Sequence, residues 1–192
     1  MTSYLLTGPA LEPVTLAEAK TFLRVTDSAE DGFINTLITA ARLHLEGTTG
    51  RVLISQTWRT LCDDWPTDRT LVLPVAPLIS ISAITIYDPD GVAVPLSVAQ
   101  FQPETKVAPA RIFLPTTIAG MVEPRQHNGI EIDYVAGFGP LTTDVPADLR
   151  QALMSLVAYW FEHRDAVVIA GSGSIVPAGF DALVAPYRRA GL

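Results

Sequence analysis

One cysteine, two lysines and three histidines are spread over 192 residues, and each scarcity removes a class of explanation. The lone Cys62 leaves no internal disulfide framework and fits a reducing compartment. Cations are few. Lys20 and Lys106 are the only lysines, and 13 Lys and Arg face 20 Asp and Glu, for a formal net charge of −7. Affinity for nucleic acid is driven by Lys and Arg that release counterions from phosphate, so an acidic chain does not hold DNA through a general field, although DNA can pass it. Long apolar runs are missing too. The longest, Leu153 to Phe161, is interrupted and too short to span a bilayer. No basic stretch followed by an apolar run opens the sequence as a secretory signal would, so the expectation is a soluble protein made in a cytoplasm.

Catalytic signatures are equally scarce. There is no GxxxxGK[ST] phosphate loop, no GxSxG nucleophile elbow and no HExxH metal helix. Gly171-Ser172-Gly173-Ser174 has a phosphate loop's composition but neither the strand before it nor the Lys and capped helix after it, and reads as a linker. His163-Arg164-Asp165 spells a kinase catalytic-loop triplet without its downstream Asn. Cations that suit a helix C-terminus account for it. His44, His127 and His163 lie in separate elements without ligand spacing. Asp63-Asp64 and the Asp88/Asp90 pair stand beside Pro66 and Pro89 as turn residues rather than metal carboxylates. Cys62, with no base nearby, reads as a small buried hydrophobe. No catalytic residue, cofactor or metal ligand is expected. Trp58 and Trp160 read as core, whereas Trp65, beside Pro66 in a loop, is the aromatic expected to touch a partner.

What the chain does have is helix at both ends and β texture between. From Asp27 to Arg51, Phe33, Ile34, Leu37, Ile38, Ala41 and Leu45 recur at steps of three and four and share one helix face. Asp27 and Glu30 read as a capping box at its start, and Gly50 as its left-handed end. A shorter helix precedes it, opened by the capping box Thr15/Glu18, with Leu16, Ala19 and Leu23 apolar. After Gly139, Pro146 suits a first helical turn, and Leu149, Leu153, Leu156, Val157, Trp160 and Phe161 repeat at helical spacing. A last amphipathic segment, Phe180 to Tyr187, ends in Arg188 and Arg189.

Between these lie short runs broken by proline: Ser55 to Cys62, Leu71 to Leu73, Ile79 to Tyr87, Val92 to Leu96, Arg111 to Leu114 and Ile130 to Val135. A parity change near Ala83 predicts a bulge, and Asp88-Pro89-Asp90-Gly91 predicts a hairpin turn. The prolines favour edges and loops over a broad central sheet. The expected fold is α+β. A discontinuous helical bundle (1–54 plus 140–192), its N- and C-terminal helices packed together, carries an inserted small antiparallel β-domain (55–139).

The residues also carry a resemblance. Pro13 to Lys20, Leu23-Arg24-Val25 with Asp31, Leu37 to Arg42, Thr49-Gly50-Arg51 and Gln56-Thr57-Trp58 come in an order and spacing that continue downstream. Leu73-Pro74, Pro77-Leu78, the Tyr87 to Gly91 turn, Tyr134 to Gly139, Val145 to Ala152, Trp160 to Arg164 and Ala182 to Arg188 complete the pattern. It resembles the head–tail connector (adaptor) family of tailed bacteriophages, in the longer form found in siphophages, prophages and gene transfer agents. Val98 to Ala110 and Thr116 to Asn128 fall outside the pattern, and Gly47 departs from it within the central helix.

The resemblance implies a non-enzymatic virion protein of the capsid–tail neck, assembled in a bacterial cytoplasm. It implies a ring, usually twelve-fold, that docks on the portal protein, extends the DNA channel and offers a platform to stopper or tail-completion proteins. DNA would pass without sequence-specific binding. The C-terminal segment then becomes the portal-facing part, with Ile175, Phe180, Leu183, Val184, Tyr187, Arg188 and Arg189 as candidate contacts, and Trp65 as a separate interface candidate; the alternative is that the segment packs back on its own helical domain, a purpose Phe180, Leu183 and Tyr187 would serve equally. Two other readings stay open: a small hydrolase with a site assembled from Asp63, Asp64 and a histidine, and another neck protein such as a stopper or tail-completion factor.

Overall fold

The structure, a computed structural model, describes residues 1–105, 107–120, 122–163 and 176–188. The chain divides into two compact units, Met1–Ala10 with Ser55–Phe138, and Leu11–Ile54 with Gly139–Leu192.

In the first unit the strands are β1 (Thr2–Thr7), β2 (Gln56–Cys62), β3 (Thr70–Leu73), β4 (Leu78–Tyr87), β5 (Ala93–Leu96), β6 (Gln102–Glu104), β7 (Ala110–Phe113) and β8 (Ile130–Ala136). They form a five-stranded sheet in the order β1-β2-β8-β4-β5 and a three-stranded sheet in the order β3-β7-β6. Every pairing within them is antiparallel. Alternation decides which face is dry. On β8, Ile130, Ile132, Tyr134 and Ala136 are fully buried, whereas Glu131 and Asp133 point the other way and pair with Arg59 of β2, Nε to Asp133 Oδ1 at 2.6 Å. Leu71 and Leu73 of β3, Ile84 of β4 and Ile112 of β7 join the β8 residues in one core. The parity change along β4 is a pair of register shifts, one of them between Ile81 and Ala83, and it turns Ile84 and Ile86 inward. In the β4–β5 hairpin, Asp88 Oδ1 accepts from the backbone N–H groups of Asp90 and Val92, and Gly91 takes φ +81°, a conformation that costs glycine little.

The second unit holds α1 (Leu16–Leu23), α2 (Asp31–Thr49), α3 (Ala147–Glu162) and α4 (Phe180–Val184). Thr15 caps α1 through the reciprocal box with Glu18. Helix α2 buries Ile34, Leu37, Ile38, Ala41 and Leu45 and packs on α3, which buries Leu149, Ala152, Leu153, Leu156 and Val157. Phe33 and Phe161 meet between these helices with ring centroids 6.2 Å apart. Gly50 ends α2 in the left-handed conformation, its N–H donating to the Glu46 carbonyl. The expected cap at Asp27 is corrected. Helix α2 begins at Asp31 behind Glu30 without a side-chain cap, because the Asp27 carboxylate is spent on a local turn, accepting from Ala29 N–H at 2.8 Å.

The expected fold class is overturned. The protein is mostly β, with two antiparallel sheets and only four α-helices among the described residues, two of them of eight and five residues. It is not a helical bundle carrying a small β insertion. Two elements explain the error. Thr2–Thr7 forms a strand where the pattern gives no alternation, since its burial follows the β2 edge rather than a dry face. Gln102–Glu104 forms another despite Pro103, because an edge strand tolerates a missing donor. No helix among the described residues is long and apolar enough to cross a membrane.

Candidate functional site

The side chains of the C-terminal segment divide sharply between inward and outward. Gly179 opens α4 at φ +88°, and from there Phe180 and Val184 turn inward, 2% and 0% exposed. The Phe180 ring lies 5.7 Å from His44 of α2, which meets Trp160 of α3 edge-on at 5.8 Å. Burial among these rings pushes the His44 imidazole below its ordinary pKa, because the charged form loses its water. Tyr187 donates its phenol proton to Asp148 Oδ1 at 2.9 Å. Burial and then this carboxylate push the phenol above its ordinary value. Arg51 Nε donates to the Tyr187 carbonyl at 3.2 Å.

The segment is therefore docked on its own helical unit. Leu183 is half-buried, while Asp181, Ala182, Ala185, Pro186 and Arg188 face outward, with Arg188 paired to Asp181. Of the residues the sequence nominates, Phe180, Val184 and Tyr187 are brought together with α2 and α3. Ile175 and Arg189 lie outside the described residues, as does the Gly171 to Ser174 stretch.

Helices α1 and α3 flank an open cleft of about 560 Å³, lined by Val14, Ala17, Phe22, Ala147 and Met154 among others. Its polar wall is the Glu18–Arg150 ion pair at 2.5 Å. The backbone N–H of Thr15 holds the Glu18 carboxyl below its ordinary pKa against the opposing effect of burial, and the Thr15 hydroxyl and Arg150 assist. Arg150 Nε is buried and has no hydrogen-bond partner among the described residues. Sequence reasoning missed this cleft. The available signal was Phe22, an aromatic placed outside the α1 apolar face and 45% exposed.

In the β unit, Trp65 is half-buried and stacks at a tilt on Phe101, 5.9 Å between centroids. Its Nε1 is buried and has no hydrogen-bond partner among the described residues. The acidic loop residues are engaged locally. Asp63 Oδ1 accepts from Asn128 N–H, and Asp64 Oδ1 from Trp65 N–H. The Cys62 thiol is pushed up by burial, away from thiolate reactivity. Among the described residues no three His, Cys, Asp or Glu side chains gather as a metal-ligand set. The α1/α3 cleft and the outward side of the C-terminal segment are surfaces open to contact.

Comparison with known proteins bears on what those surfaces meet. A family model described as head completion protein matches residues 12–177. No curated protein matches the chain. Among solved structures, a chain in the neck of an empty GTA particle computed with C6 symmetry is 29% identical, with a TM-score of 0.81. A chain in the virion of a native gene transfer agent (GTA) particle is 27% identical, with a TM-score of 0.82. A third, in the neck of a native GTA particle computed with C12 symmetry, is 26% identical, with a TM-score of 0.71. In all three the match covers 100% of this chain and 97% of the other.

Proposed function

Because the chain belongs to the head completion protein family, we propose that it is a structural protein of a virion neck, at work as one subunit of a ring between capsid and tail. The observation that carries this reading is the end-to-end likeness to a neck chain: 100% of this chain aligned to 97% of the other at 29% identity. Two of the similar chains sit in necks computed with six-fold and twelve-fold symmetry, which supports a ring.

Within that role the ring docks on the portal protein, prolongs the DNA channel and presents its far side to stopper or tail-completion proteins. The C-terminal segment makes the portal contact. Its outward residues, Arg188 and half-buried Leu183, are available while it stays docked. Phe180, Val184 and Tyr187 hold it in place. Ile175 and Arg189 belong to the same contact, and Trp65 to an interface with another neck protein. An excess of 20 carboxylates over 13 cations per subunit lets DNA slide through such a ring, since few cations are on hand to grip phosphate.

The test is a particle assembled with an epitope-tagged chain and imaged at the capsid vertex. The tag should mark a ring at the neck, and particles lacking the chain should fail to join heads to tails. Finding the tag elsewhere on the particle, or unchanged joining without the chain, overturns the proposal.

A further inference from the structure

Helix α2 presents a face without charge. Its exposed residues are Gly32, Asn35, Thr36, Leu43 and Gly47, whereas the solvent side of a surface helix is ordinarily polar and charged. Leu43 stands out from this face, 57% exposed. Gly32, Thr36, Leu43 and Gly47 follow at steps of four, seven and four, so they form one ridge along the helix. The Thr36 hydroxyl is already engaged within the ridge, donating to the Gly32 carbonyl at 3.0 Å. Nothing inside the chain accounts for Gly47. A Cβ built there meets no atom within 4 Å, and glycine inside a helix is less stable than alanine. A missing Cβ does serve a surface that approaches the backbone closely from outside.

The α1/α3 cleft is the matching hollow. Phe22 and Met154 give it apolar walls, and its two charged groups, Glu18 and Arg150, cancel in their ion pair. No residue of α2 lines it. Ala17 and Thr21 lie on the far side of α1 from buried Ala19, and Gln151 on the far side of α3 from buried Leu153. Helix α2 packs on both α1 and α3 through the face that buries Ile34, Leu37 and Ile38. Ridge and cleft therefore look out from opposite sides of one helical unit.

We propose that the Leu43 ridge of one copy seats in the α1/α3 cleft of the next, and that this contact repeats around the ring. The inference rests on the ring reading given above. A ring needs a heterologous contact made by two different surfaces of each subunit, because a surface that pairs with itself stops at two copies. The ridge and the cleft differ in just this way, one convex and one concave. Charge points to the same occupant. Copies of a chain with net charge −7 repel, so they meet with least repulsion where neither surface carries net charge. Leu43 enters between Phe22 and Met154, whose unbranched thioether adapts to the shape offered, and Gly47 lets the α2 backbone come close to the rim.

Thiol cross-linking in assembled particles tests this. Necks built with the Ala40→Cys/Gln151→Cys chain, which keeps Leu43, and treated with a short bismaleimide should give a ladder of covalent multimers beyond the dimer on a denaturing gel. Necks built with either single variant should stay monomeric; the buried Cys62 is common to all. Gly47→Gln supplies a readout in which stability and assembly move in opposite directions. The isolated chain should unfold at higher urea, since glutamine is the better helix former, yet the variant should be lost from necks because its side chain fills the close approach. Monomers alone from intact rings of the double variant overturn the joint and leave the ring reading standing. Dimers from Ala40→Cys alone also overturn it, showing the α2 face paired with itself, as does full incorporation of Gly47→Gln. A neck without the parent chain removes the ring reading, and this joint with it.

Discussion

Tyr187 donates a hydrogen bond to Asp148 across 39 residues of sequence, Oη to Oδ1 at 2.9 Å, and so pins the last described turn to the start of α3. A hydrogen bond to a carboxylate contributes about 1.5–3 kcal/mol when made and sheltered. Tyr187→Phe removes the hydroxyl while keeping the ring. It should lower stability by about 1–2 kcal/mol and speed amide hydrogen exchange across Phe180–Val184 before the rest of the helical unit. Uniform exchange rates across that unit would show that the bond does not hold the segment locally.

The same segment should respond very differently along its length. Phe180 is 2% exposed, and truncation of a buried aromatic costs about 3–5 kcal/mol. Arg188 is exposed and paired only at the surface with Asp181, where an ion pair contributes about 0–1 kcal/mol. Phe180→Ala should therefore depress the unfolding midpoint in urea strongly, and Arg188→Ala should leave it nearly unchanged while weakening capture by purified portal. Equal effects on unfolding would contradict the burial pattern.

His44 gives the helical unit a pH dependence whose sign follows from burial. Its folded pKa lies below the ordinary imidazole value, so below about pH 6.5 the unfolded chain binds a proton more readily than the folded one. Stability from this residue is present at neutral pH and is lost as the pH falls through that window. His44→Leu removes the titration. Thermal melts between about pH 7 and pH 5 should show a smaller loss of midpoint for the variant than for the parent chain. Parallel slopes would place the titration elsewhere.

Sequence legibility followed a physical divide between local and remote causes. The Thr15/Glu18 box, the Gly50 end of α2, the Asp88–Gly91 turn and the bulge near Ala83 are settled by neighbouring residues, and all were readable. Alternation on β8 was equally plain because one face is dry. Strand β1 was not readable, since it owes its form to Gln56–Cys62 more than fifty residues away, and a half-exposed edge strand shows no period. Missing it, and Gln102–Glu104, led to a fold class too rich in helix. At the candidate contacts the sequence named Phe180 and Tyr187 for their apolar character. That character cannot distinguish a side chain that meets a partner from one that packs on its own unit.

Glu18 carries a prediction of the same sign as that of His44, in the lower pH window of a carboxylate. Its carboxyl is held below the ordinary value chiefly by the Thr15 backbone N–H, with Arg150 assisting. The stabilisation is full above the ordinary carboxylate pKa and disappears as the pH falls through the lowered folded value. Glu18→Gln keeps an oxygen acceptor for Thr15 but drops the ion pair, which is partly exposed and screened. It should cost about 0.2–1 kcal/mol at pH 7 and nothing once the parent carboxylate is protonated. A cost that persists unchanged in acid would assign the effect to packing in the α1/α3 cleft instead.

Gly139 provides a prediction that depends on space rather than charge. A Cβ built there would lie 2.6 Å from the Asp144 Cβ and closer still to its carboxylate. Asp144 cannot simply swing away, because its Oδ2 accepts from the Leu141 N–H at 2.8 Å and so closes the 3₁₀ turn Thr142–Asp144 that leads into α3. Gly139 itself bridges to Ile54, which restrains movement from the other side. Overpacking of this kind costs about 1–3 kcal/mol, so Gly139→Ala should lose that much in urea unfolding. Two mechanisms could produce such a loss, and a double-mutant cycle separates them. If the added methyl acts through Asp144, Gly139→Ala in an Asp144→Gly background should cost far less than in the parent. Contacting residues couple by about 0.5–3 kcal/mol. Additive costs would mean that the strain lies in the Ile54 bridge and that the close approach to Asp144 is not what selects glycine.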